Sequence, residues 1–112
     1  MVESPVKPLF YLFGGHIEVS GADGPASRTS DGVRFVFVGP EGVAIDAERR
    51  DEPVPDGLPS MQLWTEIEVA AKLRAQPVMT VFAHYRETGQ LGQIELVRLD
   101  SDTHFLVAGR LV

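Results

Sequence analysis

The sequence predicts an α+β fold, in which a mostly antiparallel sheet of about six to seven strands packs with one main helix. Short runs rich in β-branched and aromatic residues recur along the chain, and glycine- and proline-rich segments separate them. One stretch alone has clear helical periodicity. Strands that follow one another without crossover helices favour antiparallel pairing. The predicted order is β-β-β-β-α-β-β-β, with a sheet curled toward a partial barrel as an alternative.

The length and composition fit one compact unit. A chain of 112 residues with 44% hydrophobic side chains matches a single α+β domain spanning residues 1–112. Residues 49–60 hold three prolines and many charges, which predicts a Pro-rich linker loop within that domain. The chain has no cysteine, so disulfides, thiolate metal sites and cysteine nucleophiles are excluded.

The first half of the chain predicts four strands. Residues 9–13 are apolar and aromatic, and Gly14-Gly15 separates them from the alternating residues 16–20, which indicates two strands joined by a tight turn. Residues 21–32 are rich in glycine, serine and aspartate and predict a loop. Residues 33–38 form the strongest strand signal, and with residues 43–47 they predict a hairpin.

The helix is predicted from Ser60 through residue 76. Ser60 is a suitable N-cap, apolar residues then recur at three- and four-residue spacing, and Pro77 ends the pattern. The competing interpretation treats residues 65–69 as an alternating strand. The strong helix formers that follow them favour the helix.

The last third of the chain predicts three antiparallel strands. Residues 78–86, 93–99 and 104–112 are each rich in strand-forming side chains. The connections between them contain Gly, Asp and Ser, which are typical of turns.

The first candidate site lies on the predicted strand 78–86. Thr80, His84 and Arg86 would share one face of that strand and could bind an anion. His84 and Arg86 are also weak catalytic candidates, and His16 could join them at the sheet rim. The alternative interpretation is the solvent face of a half-buried sheet.

The second candidate is the run of residues 100–104, where Asp100, Asp102 and His104 stand at alternate positions and would line up as metal ligands in an extended chain. Ser, Asp and Thr also close turns through their own backbone, and this stretch joins two predicted strands. We favour the turn and expect no metal site. Nucleotide-loop, zinc-protease and EF-hand motifs are absent from the sequence, so we expect no cofactor.

A homodimer is expected from the number of apolar faces. One helix covers only part of a sheet of about seven strands, so another layer must shield the rest. The aromatic residues expected at such an interface are Phe10, Tyr11, Phe13 and Trp64.

Charge and hydropathy restrict the partners. The formal net charge of −6 opposes binding to nucleic-acid phosphates. The apolar runs are too short to cross a bilayer, so we expect no membrane association. Residues 1–8 lack the features of a secretory signal, from which we expect a cytoplasmic protein.

The function expected from these features is a noncatalytic binding or interaction module, acting as a homodimer or as an accessory subunit to a protein partner. One alternative is a small cofactor-free enzyme, an isomerase or hydrolase, that uses His84 and Arg86 on an anionic substrate. Another is a sensor of a small ligand. A pocket that brings His84 close to His16 or to a buried carboxylate would favour the enzyme, and a flat apolar patch would favour a protein partner.

Overall fold

The computed structural model describes residues 9–58 and 60–112, so the features expected of residues 1–8 lie outside the described part. Within it, seven strands form two antiparallel sheets, and two helices accompany them, which confirms the α+β class. In chain order the elements are β1 (Phe10–Leu12), β2 (Gly15–Val19), β3 (Ala26–Arg28), β4 (Arg34–Val38), β5 (Val43–Arg49), α1 (Met61–Arg74), α2 (Val78–Thr88), β6 (Ile94–Arg98) and β7 (His104–Leu111).

Sheet A has the strand order β1-β2-β4-β3. The predicted glycine turn between β1 and β2 is confirmed: Phe13 and Gly14 both have positive φ, at 52° and 76°, as a tight hairpin requires. Strand β3 lies inside the segment predicted to be a loop. It forms because Ser27 pairs with Phe35 of β4 and its side chain is buried.

Sheet B has the strand order β5-β7-β6, so the predicted hairpin of residues 33–38 with 43–47 is wrong. Strand β5 belongs to sheet B, where it pairs along its whole length with β7, the last strand of the chain. Residues Val43–Ala47 are all buried, on both faces of the strand. A strand that is buried on both faces lies between two layers. The alternation of apolar and polar residues along a strand does not tell which other strand it pairs with.

The two sheets pack face to face, and α1 covers the other face of sheet B. Ile17 and Phe37 of sheet A share one apolar cluster with Ile45 and Leu106 of sheet B. On the far side, Val69 of α1 packs with Ala44 and Val107. The strands therefore cover one another as two layers, and the described residues form no closed barrel.

Helix α1 confirms the predicted helix and rules out the strand at residues 65–69. The Ser60 hydroxyl accepts a hydrogen bond from the Leu63 amide at 3.1 Å, the geometry of an N-cap. Ala75 ends the helix in the left-handed conformation, with φ of 51°.

The strand predicted at residues 78–86 is wrong, because this segment is helix α2. Its partly or fully buried apolar residues follow the helical spacing i, i+3, i+4 and i+7: Val78, Val81, Phe82 and Tyr85. Pro77 precedes the first turn and Gly89 ends the helix with φ of 71°. Packing of Val81 and Phe82 against α1 outweighs the strand propensity of the sequence. In the described chain, neither helix is long and apolar enough to cross a bilayer.

Candidate ligand-binding site

A cleft of about 350 Å³ opens between the end of α1, the outer side of α2 and the connection that follows α2. Its lining combines one cation, several uncharged polar side chains and a small apolar base. The residues are Arg74, Gln76, Thr80, Val81, His84, Gln90, Leu91 and Gly92.

The local sequence explains why these residues meet. Ala75 and Pro77 allow a sharp change of direction between α1 and α2, and apolar residues of the two helices then pack together. Thr80 and His84 lie four residues apart on α2 and so share a helix face. The connection after α2 returns Leu91 to the same apolar cluster, which closes the third wall.

The polar side chains of the cleft have no hydrogen-bond partners among the described residues. Within the described residues, the side chains of Arg74, Gln76, Thr80, His84 and Gln90 make no intramolecular hydrogen bond, and Arg74 forms no salt bridge within 4.0 Å. No Asp or Glu of residues 9–58 and 60–112 lines the cleft. A guanidinium, two amides, a hydroxyl and an imidazole together offer the donors that a carboxylate or phosphate needs.

Two of the three side chains predicted to share a strand face therefore line this cleft, and Arg86 does not. In a helix, Arg86 is two residues beyond His84 and points away from it. Its guanidinium lies 5.7 Å from the centre of the Phe82 ring. Sequence reasoning missed Arg74, which supplies the cation instead. The helical spacing of the apolar residues 78–85, between Pro77 and Gly89, is the sequence signal for α2. A second helix in this place would have pointed to the end of α1, where Arg74 lies, as one wall of the cleft.

His16 lies elsewhere, in sheet A. Its Nε2 atom is 2.6 Å from Oε1 of Glu18 on the same strand. Hydrogen bonds from Ser20 and then from His16 hold the pKa of Glu18 below its usual value. The catalytic set of His84, Arg86 and His16 is therefore not brought together.

Residues 100–104 form the turn that we favoured. The Ser101 hydroxyl accepts hydrogen bonds from the amides of Thr103 and His104, at 3.3 and 3.1 Å. The Asp100 carboxylate faces the guanidinium of Arg98 and accepts from the amide of Leu106. No group of three His, Asp or Glu side chains with metal-binding geometry is present in ranges 9–58 and 60–112.

His104 is buried and lies beside a second cleft of about 270 Å³. Its Nε2 atom is 3.2 Å from Oδ2 of Asp31, and its Nδ1 atom is 2.9 Å from Oγ1 of Thr103. These contacts tie the β3–β4 turn of sheet A to the start of β7 in sheet B. The nearby amides of Thr103 and His104 are already bonded to Ser101, so they are not available to stabilise a developing oxyanion.

The aromatic residues expected at an interface have different environments. Phe10 and Phe13 pack partly buried against the core between the sheets, and Trp64 is partly buried on α1. Tyr11 is 79% exposed. Because the two sheets cover each other, the shortage of covering layers that suggested a homodimer is much smaller than expected. The homodimer itself stays a prediction.

Comparisons with known proteins add no functional information. No protein-family model matches the chain, and neither the curated proteins nor the solved structures gave a significant match.

Proposed function

We propose that this protein is a noncatalytic binding module that holds a small anionic ligand, with a carboxylate or phosphate group, in the cleft between α1 and α2. The observation that carries this proposal is that, among the described residues, no carboxylate lines the cleft that contains Arg74, in a chain with a net charge of −6. Burial of an anion beside a guanidinium is favourable when no competing acid neutralises that cation.

The same geometry argues against the enzyme alternative. A second group that orients His84 or shares a proton with it would favour general acid-base catalysis. In the part of the chain that the structure describes, neither His16 nor an acidic side chain lines the cleft with His84, and Arg86 lies outside it. Binding and sensing of a small ligand require none of these groups.

Assembly as a homodimer, or with a protein partner, remains part of the proposal. Tyr11 and Met79 are 79% and 61% exposed, and they are the natural contacts for such a partner. Light scattering on a size-exclusion column tests the dimer. A mass near the monomer value of 12.2 kDa at micromolar concentration would exclude it.

The ligand site is tested by titrating inorganic phosphate, acetate and citrate into ¹⁵N-labelled protein and following amide shifts by NMR. We expect saturable shifts at residues of the cleft for at least one anion, weakened at least tenfold in Arg74→Gln. Arg86→Gln is the matched control, because it removes the same charge from α2 outside the cleft and should bind as the wild type does. No saturable shift with any of the three anions, or equal loss in both variants, would refute the proposed site.

A further inference from the structure

A buried carboxyl group lies where the two sheets and helix α1 meet. Asp46 on β5 is 4% exposed. Its Oδ1 atom is 3.3 Å from the hydroxyl of Ser27 and 3.4 Å from Nζ of Lys72. Its Oδ2 atom is buried, and no hydrogen-bond donor reaches it from the described residues. Buried polar atoms are nearly always paired, so this one requires an explanation.

Side chains make the hydrogen bonds at this junction. Strand β3 is an edge of sheet A and β5 is an edge of sheet B, and no ladder joins them. Ser27 of β3 accepts a hydrogen bond from the Ala47 amide of β5 at 3.0 Å. Lys72 of α1 donates to the carbonyl of Ile45 at 2.8 Å and reaches that of Ala26 at 3.4 Å. Asp46, Ser27 and Lys72 therefore connect three layers.

Burial of the Asp46 carboxyl favours its neutral form. Burial raises the pKa of Asp46 to about 8; the ammonium of Lys72 opposes this shift, and Glu48 and Glu68 add to it. The pKa values of Glu48 and Glu68 are raised as well, first by burial. The other neighbouring strands contribute no charge here: β3 presents the Ser27 hydroxyl, β7 places Val107 opposite Asp46, and β4 meets β5 through Phe35 and Phe37.

We propose that Asp46 forms a proton-controlled latch, which holds β3 against β5 while its carboxyl is protonated and loosens when the carboxyl ionises. A neutral carboxyl can leave one oxygen unpaired at moderate cost, but a buried carboxylate needs water or donors at both oxygens. We expect that water to enter as β3 separates from β5. The latch is independent of the ligand cleft.

The sign of the pH effect follows from the raised pKa. The folded protein holds a proton on Asp46 that the unfolded chain releases at lower pH, so this contribution to stability is complete in acid and is lost as pH rises through about 8. We expect the wild-type Tm to fall by roughly 5 °C or more between pH 6 and pH 9. Asp46→Asn, which mimics the neutral acid, should lose most of this dependence. Asp56→Asn, at an exposed carboxylate, should behave as the wild type does.

Two further measurements use the wild-type chain and so do not depend on whether Asp46→Asn folds. The ¹³C shift of the Asp46 carboxyl should titrate near pH 8, and a midpoint below pH 5 would overturn the latch. Hydrogen-exchange protection, corrected for intrinsic rates, should fall between pH 6 and pH 9 more in Ala26–Arg28 than in Ile94–Arg98. Equal changes in both strands, a wild-type Tm that is constant over this range, or an equal fall in Asp46→Asn would also overturn it.

Discussion

The guanidinium of Arg74 lies directly against Gly92. A Cβ atom placed on Gly92 would be 3.2 Å from Cζ of Arg74 and closer still to one terminal nitrogen. Gly92 also has φ of 89°, which side chains rarely adopt. Gly92 thus allows the backbone conformation of the connection after α2, and it leaves room for the guanidinium of Arg74 in the cleft.

Gly92→Ala should therefore weaken both anion binding and stability. We expect a stability loss of roughly 1–2 kcal/mol from the left-handed backbone, together with lower affinity because Arg74 is displaced. Gly57→Ala is the matched control: its φ is 86°, and no atom of the described residues lies within 4 Å of its Cβ position. Urea unfolding should show similar losses in the two variants, whereas the NMR titration should show weaker binding in Gly92→Ala only. Unchanged affinity in Gly92→Ala would contradict the role given to Arg74.

Lys72→Met tests the electrostatics of the buried junction. The ammonium lowers the pKa of Asp46, so its removal should move the carboxyl titration to higher pH. The overall stability should also fall, because the bonds to the carbonyls of Ile45 and Ala26 are lost. The ¹³C titration of Asp46 measures the first effect. A midpoint that stays fixed or moves to lower pH would be inconsistent with the pairing.

Asp31→Asn should change the acid side of the stability profile. A hydrogen bond from Thr29, followed by a backbone hydrogen bond at Val33 and the charge of His104, holds the pKa of Asp31 below its usual value against the effect of burial. This contribution is present above the unfolded-state pKa and is lost as pH falls through the lower folded-state value. Thermal melts at pH 6, 4 and 3 should therefore show a smaller acid-induced loss in Asp31→Asn than in the wild type. Asp56→Asn is the control and should retain the full loss.

Ser60→Ala should destabilise α1 at its first turn. The hydroxyl satisfies the Leu63 amide, and removing such a cap costs about 1 kcal/mol. Thr88→Ala is a useful comparison, because the exposed hydroxyl of Thr88 donates to the His84 carbonyl in the last turn of α2. Chemical denaturation should show a larger loss for Ser60→Ala, and equal stabilities would contradict the capping role.

The local sequence determined those elements whose signals are themselves local. Ser60 and the apolar spacing after it predict α1, Gly14 predicts the first hairpin, and residues 100–104 predict a turn, because capping and turn geometry depend on a few neighbouring residues. The α+β class also follows from the sequence, since runs of strands without crossovers disfavour a parallel sheet. Thr80 and His84 are grouped by the sequence as residues on one face of a strand, and their four-residue spacing also places them on one face of the helix that forms instead.

Tertiary structure decided the rest through contacts between distant segments. The residues of α2 have high strand propensity, and packing of Phe82 on α1 makes them helical. That change removes Arg86 from the cleft and leaves Arg74, on the preceding helix, as its cation. Strand β5 pairs with β7 rather than β4 because its two buried faces fit between the other layers. The burial of Asp46 is also decided by tertiary structure, since the desolvation of a side chain depends on what packs against it and not on its neighbours in sequence.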